Sequence, residues 1–329
     1  MIKNIKNVAI MVTVIIFAAT AVFVACKKEE NQVIEHRMIE QNTDKLRKDL
    51  SKLNYSISQN VKISKTRKEG SGFWNKVKSV GESVCKACAV AGADAIGAAT
   101  GVKAVAPVAA AVGAATGGTG GAIITGTAAV VCGVGASYEV GKVVYSKNLP
   151  PQNPLNIERD WDYMRVGEWH NLALQQYSEL ESGTISALVL QNIDNGIFEI
   201  EQDFLYSSDW DYIKSMLFNA EEWKMIEHDI QYDIQDFIEQ ELEIEQLLDK
   251  YSERGYLTPQ MHEILISFFE IYLNIEELGD IKYVVQMYEN FVNEVDFLSG
   301  EEKDALYVAF AVANHSPFYW IEFMEDIEE

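Results

Sequence analysis

Residues Ala104–Tyr138 read AVAPVAAAVGAATGGTGGAIITGTAAVVCGVGASY, a run of 35 residues with eight glycines and no charged side chain. Glycine loses more backbone entropy on folding than any other residue, and alanine buries little apolar area. A stretch of this composition becomes ordered only where its backbone packs closely against a partner. Some other interaction must therefore compensate for these costs if the segment is to fold.

Small residues recur at four-residue spacing on both sides of this run. They are Ala93, Gly97 and Gly101 before it, Ala129, Gly133 and Ser137 in its second half, and Gly141 just after it. Stripes of this kind let two helix backbones approach closely, as in small-xxx-small packing. The pattern predicts a helical hairpin of residues 87–116 against 122–146, with a turn at Gly117–Gly121 and a kink at Pro107.

The chain beyond the hairpin is acidic and helical in pattern. Residues 151–329 carry 8 Lys+Arg against 40 Asp+Glu, whereas residues 1–150 carry 19 against 10. One apolar stripe predicts a single helix of roughly thirty residues with Gly255 as its C-cap. The stripe comprises Trp223, Ile226, Ile230, Ile234, Phe237, Ile244, Leu248 and Tyr251. Helix starts are indicated by Thr258-Pro259 and by the capping box Ser299–Glu302.

Strand-like alternation is nearly absent from this acidic part. The predicted fold is therefore all-α: a Gly/Ala-rich helical hairpin followed by an acidic bundle of about six to eight helices.

The N-terminus has the pattern of a secretory signal. Met1–Asn7 carries two lysines, and Val8–Ala25 is an uncharged run of eighteen residues that ends directly before Cys26. An uncleaved transmembrane anchor is the alternative. Phe23-Val24-Ala25-Cys26 resembles the lipobox of bacterial lipoproteins, with Phe23 in place of the usual aliphatic residue. The resemblance implies that Cys26 is lipidated and becomes the first residue of the mature chain.

The residues after Cys26 bear on location. Lys27-Lys28-Glu29-Glu30 resembles the surface-export signal of lipoproteins in Gram-negative bacteria. This resemblance implies an outer-membrane lipoprotein displayed at the cell surface; a periplasm-facing anchor is the alternative. The predicted domains are a signal peptide (1–25), a polar tether with helical content (26–69), a basic helix and hairpin (70–146), a Pro-rich linker (147–157) and an acidic helical domain (158–329).

A basic amphipathic segment precedes the hairpin. Phe73 and Trp74 fall on one helical face, with Lys76 and Lys78 off it, which is typical of an interfacial helix but also of a core-facing one. The segment is similar to short cationic antimicrobial peptides and, with the glycine-rich run, to small secreted bacteriocins. That resemblance implies membrane activity. The hairpin itself remains open to three interpretations: a compact packed element, a membrane-active element or a flexible spacer.

Three cysteines remain once Cys26 is lipidated. A disulfide from Cys85 or Cys88 to Cys132 would tie the two arms of the hairpin together in an oxidising compartment. Three cysteines without a nearby histidine do not predict a zinc site, and we expect no metal and no cofactor.

Two polar blocks in the acidic part are candidates for a site. The first contains His170 and Asn171 after Gly167, whose position within a helical pattern indicates close packing. The second, Ala313–Trp320, contains Ser316 and Trp320 and is expected to end its helix. If the two blocks meet, they form one polar site; otherwise His170 and Asn171 are a satisfied buried pair. Both blocks are similar to those of uncharacterised surface lipoproteins with a glycine-rich middle segment, which implies an architecture and no activity.

The net charge of −23 argues against a nucleic-acid partner, because phosphate binding needs a concentrated basic face. Motifs for nucleophilic catalysis or phosphate binding are absent from the sequence. The sequence therefore favours a surface-anchored lipoprotein with a binding or membrane-interaction role. Its expected partners are the membrane that holds the lipid anchor and a second membrane or a protein that contacts residues 70–146. The alternatives are an enzyme or small-ligand receptor with a site in the helical domain, and a bacteriocin-like membrane-active precursor.

Overall fold

The computed structural model describes residues 41–63, 83–116, 119–144, 164–179, 184–195, 197, 210–211, 214 and 221–325. The predicted signal peptide, Cys26, the segment with Phe73, Trp74, Lys76 and Lys78, and the linker 147–157 lie outside these residues. The described residues form ten helices. They are α1 (41–58), α2 (Ser83–Thr116), α3 (Thr119–Val144), α4 (Met164–Glu179), α5 (Ile185–Asp194), α6 (Glu221–Glu239), α7 (Ile244–Glu253), α8 (Pro259–Tyr272), α9 (Leu278–Glu294) and α10 (Gly300–Glu325). The all-α prediction is confirmed.

The chain divides into two compact units, Met1–Asp49 and Leu50–Glu329. In the first unit, residues 41–49 are helical. The second unit contains both the hairpin and the acidic helices, so the hairpin is not a separate domain. Residues 50–63 also belong to it, because Ile57 is buried and the Lys62 backbone N–H donates to Asp280 Oδ2 at 3.0 Å. The predicted tether therefore does not extend over 50–63.

The predicted hairpin forms the centre of the second unit. An added Cβ at Gly97 would lie 2.7 Å from the Cys132 carbonyl oxygen, and one at Gly101 would lie 2.7 Å from that of Ala128. The two backbones are therefore in direct contact, and the small-residue stripe of α2 faces α3 as predicted. Helices α4, α6 and α10 pack against this hairpin, and residues 305–317 of α10 are buried almost throughout.

The stripe predicted on α3 faces α2 only in part. An added Cβ at Gly133 would lie 3.3 Å from the Asp94 carbonyl oxygen on α2 but also 2.9 Å from the His170 ring, and one at Gly141 would lie 2.2 Å from the Trp320 ring. Gly133 thus lies between α2 and α4, and Gly141 faces α10, while Cys132 and Ala136 lie opposite α2. Since α3 is buried on several sides, a four-residue spacing does not tell which partner a small residue meets.

The predicted disulfide is wrong, because Cys88 and Cys132 both remain buried thiols. Cys132 lies opposite Gly101, where its Sγ would be 2.7 Å from an added Cβ. Cys88 is thirteen residues before Gly101, or about 20 Å along a helix that rises ~1.5 Å per residue. Cys85 is farther still, so neither residue reaches Cys132 across the hairpin.

The single long helix predicted over Trp223–Tyr251 is also wrong. The chain forms α6 and α7 with a break at Gln240–Glu243, where Glu241 has φ +52°. The Glu243 backbone N–H donates to Gln246 Oε1 at 2.8 Å and starts α7. This local signal begins a new helix even though the apolar residues before and after the break keep the spacing of one continuous helix. Gly255, with φ +78°, follows α7 in the predicted C-terminal position.

The other predicted helix starts are confirmed. Thr258 Oγ1 accepts from the Met261 backbone N–H at 3.3 Å, and the Glu302 backbone N–H donates to Ser299 Oγ at 3.2 Å. Helix α10 does not end in the block Ala313–Trp320 as predicted, because it continues through Pro317 to Glu325.

A tertiary contact explains how α10 passes Pro317. Proline has no N–H, so the carbonyl of Ala313, four residues earlier, lacks its helical donor. The Tyr272 hydroxyl on α8 donates to this carbonyl oxygen at 2.5 Å, and the contact is buried. A hydrogen bond from another helix therefore replaces the missing one.

We expect Tyr272→Phe to lower the free energy of unfolding by about 1–3 kcal/mol, since it leaves the buried Ala313 carbonyl without a donor. Pro317→Ala restores the backbone N–H, so the same substitution should cost much less in that background. Urea denaturation of the four proteins of this double-mutant cycle measures the difference. Equal costs of Tyr272→Phe in both backgrounds would contradict this account of α10.

Candidate functional site

Five buried polar side chains from four helices converge at the hairpin. We call them the Asp94 cluster: Asp94 on α2, Ser137 on α3, His170 on α4, and Ser316 and Trp320 on α10. All five residues are 0 % exposed. The cluster therefore joins both arms of the hairpin to α4 and α10, two of the three helices that cover it.

Glycines on the neighbouring helices leave the space that the large rings of this region occupy. Gly133 on α3 leaves the space that the His170 ring occupies, and Gly141 leaves the space for Trp320. On α4, an added Cβ at Gly167 would lie 2.5 Å from His315 Nδ1. The close packing predicted at Gly167 is confirmed, and its partner is a ring on α10.

The hydrogen bonds assign the ring tautomer of His170. His170 Nδ1 lies 3.1 Å from Asn171 Oδ1, and Asn171 Nδ2 donates to the His315 carbonyl at 3.0 Å. An amide oxygen only accepts, so Nδ1 carries the hydrogen and donates it, and Nε2 carries the lone pair. This Nε2 lies 3.9 Å from Asp94 Oδ2, the atom to which the Ser316 hydroxyl also donates.

Burial sets the protonation states of the cluster. Burial raises the pKa of Asp94 well above its usual range, and the hydrogen bond from Ser316 and the nearby polar groups of Ser137 and Trp320 offset part of that shift. Burial lowers the pKa of His170 from 6.5 to about 4, partly offset by Asn171 and the Gly133 backbone. Burial therefore favours the neutral form of both groups, the carboxylic acid of Asp94 and the imidazole of His170.

His315 lies next to the cluster on α10 and has a similar character. Its Nδ1 donates to the Ala311 carbonyl at 2.8 Å, which leaves the lone pair on Nε2. Burial lowers the pKa of His315 as well. Among the described residues, Nε2 of His315 and Nε2 of His170 have no hydrogen-bond partner.

The structure brings the two predicted blocks together. His170 and Ser316 both face Asp94, Trp320 lies against the same carboxyl, and Asn171 bonds the backbone of the second block. Sequence reasoning missed Asp94 and Ser137 as members. Asp94 had one usable signal, since it is the only carboxylate between Glu82 and Glu139.

The arrangement does not support catalysis by an accessible nucleophile. Ser316 bonds the carboxyl of Asp94 rather than an imidazole, and both residues are sealed from solvent. In the part of the chain that the structure describes, no three His, Cys, Asp or Glu side chains are placed to hold a metal ion. The polar groups instead connect helices.

The hairpin that carries Asp94 contains two segments long and apolar enough to cross a membrane, judged by length and composition. These segments are Lys86–Ala110 and Gly121–Gly141, and they are 89% and 83% buried inside the protein. Comparison of the chain with protein-family models, curated proteins and solved structures finds no match.

We expect Gly141→Ala to destabilise the protein by about 1–3 kcal/mol, because the new methyl group would overlap the buried Trp320 ring. Gly279→Ala on α9 is the matched control, since an added Cβ there meets nothing within 4 Å. Thermal unfolding should show a lower Tm for the first variant and an unchanged or higher Tm for the second. Equal behaviour of the two variants would contradict the assigned role of Gly141.

Proposed function

We propose that the protein is a lipid-anchored lipoprotein of the bacterial cell surface whose α2–α3 hairpin is a membrane-interacting element stored inside a helical bundle. One observation carries this proposal: two helical segments of membrane-crossing length and apolarity lie side by side in the core. Such a hairpin has two environments that suit its surface, the interior of the bundle and the acyl chains of a bilayer.

The way the hairpin is held favours storage over a purely structural role. A core that serves stability alone gains most from apolar packing, because buried ionisable groups cost desolvation energy. This core instead places Asp94, His170 and His315 where α2 meets α4 and α10. Helices held together by ionisable groups can be separated by a change of charge.

The first arm of the hairpin also contacts the acidic part of the chain through an ion pair. Lys103 Nζ on α2 lies 3.2 Å from Glu301 Oε2 at the start of α10. This pair is partly exposed, so it contributes little to stability and is screened by salt. The polar cluster is therefore the stronger of the two attachments.

A lipid on Cys26 would complete the function. It would hold the bundle beside a bilayer, which raises the effective concentration of the hairpin at the membrane without further contacts. The acidic bundle would keep the hairpin soluble until it meets a membrane.

Lipid photolabelling tests whether the hairpin enters a membrane. The full mature chain is incubated at pH 4–8 with vesicles of phosphatidylethanolamine and phosphatidylglycerol that contain a carbene-generating lipid. We expect label in peptides from 86–110 and 121–141, and none in peptides from α9, which serve as the internal control. Absence of label in the hairpin across this pH range would contradict the proposed function.

Palmitate labelling of cells that express the wild type or Cys26→Ala tests the anchor and its location. We expect labelled wild-type protein that an external protease removes from whole cells, and no label in Cys26→Ala. Labelled protein that resists the protease would place the anchor on the periplasmic side, and unlabelled wild type would exclude the anchor.

A further inference from the structure

We propose that the Asp94 cluster is a proton-operated latch: when the Asp94–His170 pair takes up a second proton, α4 and α10 release the hairpin. This inference rests on the proposed function and names what regulates it. It follows from the geometry of the pair, from the groups that face it and from the helices on which they lie.

Burial favours a pair that holds one titratable proton, on the carboxyl of Asp94. His170 Nε2, which carries the lone pair, lies 3.9 Å from Asp94 Oδ2. A second proton adds to Nε2 of His170 and creates an imidazolium in a site that is 0 % exposed. The net charge of the pair is then +1 wherever the first proton resides.

The groups around the pair do not neutralise that charge. His315 from α10 acts electrostatically on His170, and burial lowers its pKa as well, so a proton taken up by His315 adds a second positive charge. Tyr272 from α8 acts electrostatically with both Asp94 and Cys88 of α2, and burial raises the pKa of the Tyr272 hydroxyl well above its usual range. Acid therefore produces two like charges, which repel each other in a medium of low dielectric constant.

The position of each group determines what separates. Asp94 belongs to the hairpin, His170 belongs to α4, and His315 belongs to α10. Charging the two histidines favours their transfer to water, where the ordinary histidine pKa is near 6.5. Asp94 stays a neutral acid during this step. The free energy of placing α2 among acyl chains is therefore lower than it would be with a carboxylate at this position.

Two buried cysteines in the hairpin can be used to measure its release. Cys88 on α2 is 0 % exposed, and Cys132 on α3 is 2 % exposed. The full mature chain is treated in the absence of lipid with a dipyridyl disulfide, which reacts with thiols at acid pH, and each cysteine peptide is quantified by mass spectrometry. Rates are divided by those of the urea-unfolded chain, which removes the intrinsic pH dependence of the thiol.

The latch predicts a specific pH dependence. His170 binds its proton less tightly in the folded state than in the unfolded state, so stability of the closed form falls as the pH drops from 6.5 through about 4. This one group should raise the opening constant by about 80-fold between pH 6.5 and pH 4, and by about 300-fold between pH values well above 6.5 and well below 4. His170→Gln should remove that rise.

His262→Gln is the matched control, because His262 pairs with Asp249 at 2.8 Å near the surface, away from the cluster. It should keep the full rise in thiol exposure. Equal pH profiles for wild type and His170→Gln would overturn the latch.

Hydrogen exchange of α9 separates release from global unfolding. Its amides should stay protected at the pH where the two thiols react; loss of protection at the same pH would overturn the latch. Should His170→Gln fail to fold, the ring resonance of His170 in the wild type gives a second measurement. Its titration must coincide with thiol exposure, and titration without exposure would overturn the latch.

The latch and the proposed function fail in different ways. Acid-dependent thiol exposure without lipid photolabelling would support the latch and overturn the membrane role. Photolabelling of the hairpin that is equal at pH 7 and pH 4 would support the membrane role and overturn the latch.

Discussion

The backbone contact between α2 and α3 at Gly97 and Gly101 is the constraint on which the rest of the structure depends. A Cβ at either position would lie 2.7 Å from a carbonyl oxygen of the facing helix, so only glycine permits this separation. Helices this close bury little side-chain area between them. Their remaining apolar surface must be covered by other helices, and α4, α6 and α10 provide that cover.

The absence of side chains at glycine positions also explains how the polar cluster forms. Gly133 and Gly141 remove side chains from the outer faces of α3, and the rings of His170 and Trp320 fill the resulting spaces. Asp94 is thereby enclosed by groups from three other helices, and this burial favours its neutral form, although the polar groups around it offset part of the effect. Burying the carboxyl of Asp94 without polar partners would cost free energy. With these partners it connects the hairpin to the helices that cover it.

Local signals predicted much of the secondary structure. The hairpin, the starts at Thr258 and Ser299 and the stop near Gly255 follow from residues within a few positions of each other. The prediction of one continuous helix failed at Glu241, because the apolar residues on either side of the break keep the spacing of a single helix. The prediction that α10 ends near Pro317 failed because the hydroxyl of Tyr272, forty-one residues before Ala313, donates the hydrogen bond that proline cannot. Periodicity reports which face is buried, and it does not report whether the backbone is continuous.

The sequence by itself determined the helical class, the paired arms and two polar blocks, because composition, spacing and caps act over a few residues. The tertiary structure alone decided that Asp94 joins those blocks, that α3 turns its glycines toward His170 and Trp320, and that Cys132 lies far from Cys88. These outcomes depend on the register of one arm against the other and on which helix covers each face. Neither is set by any interaction between sequence neighbours.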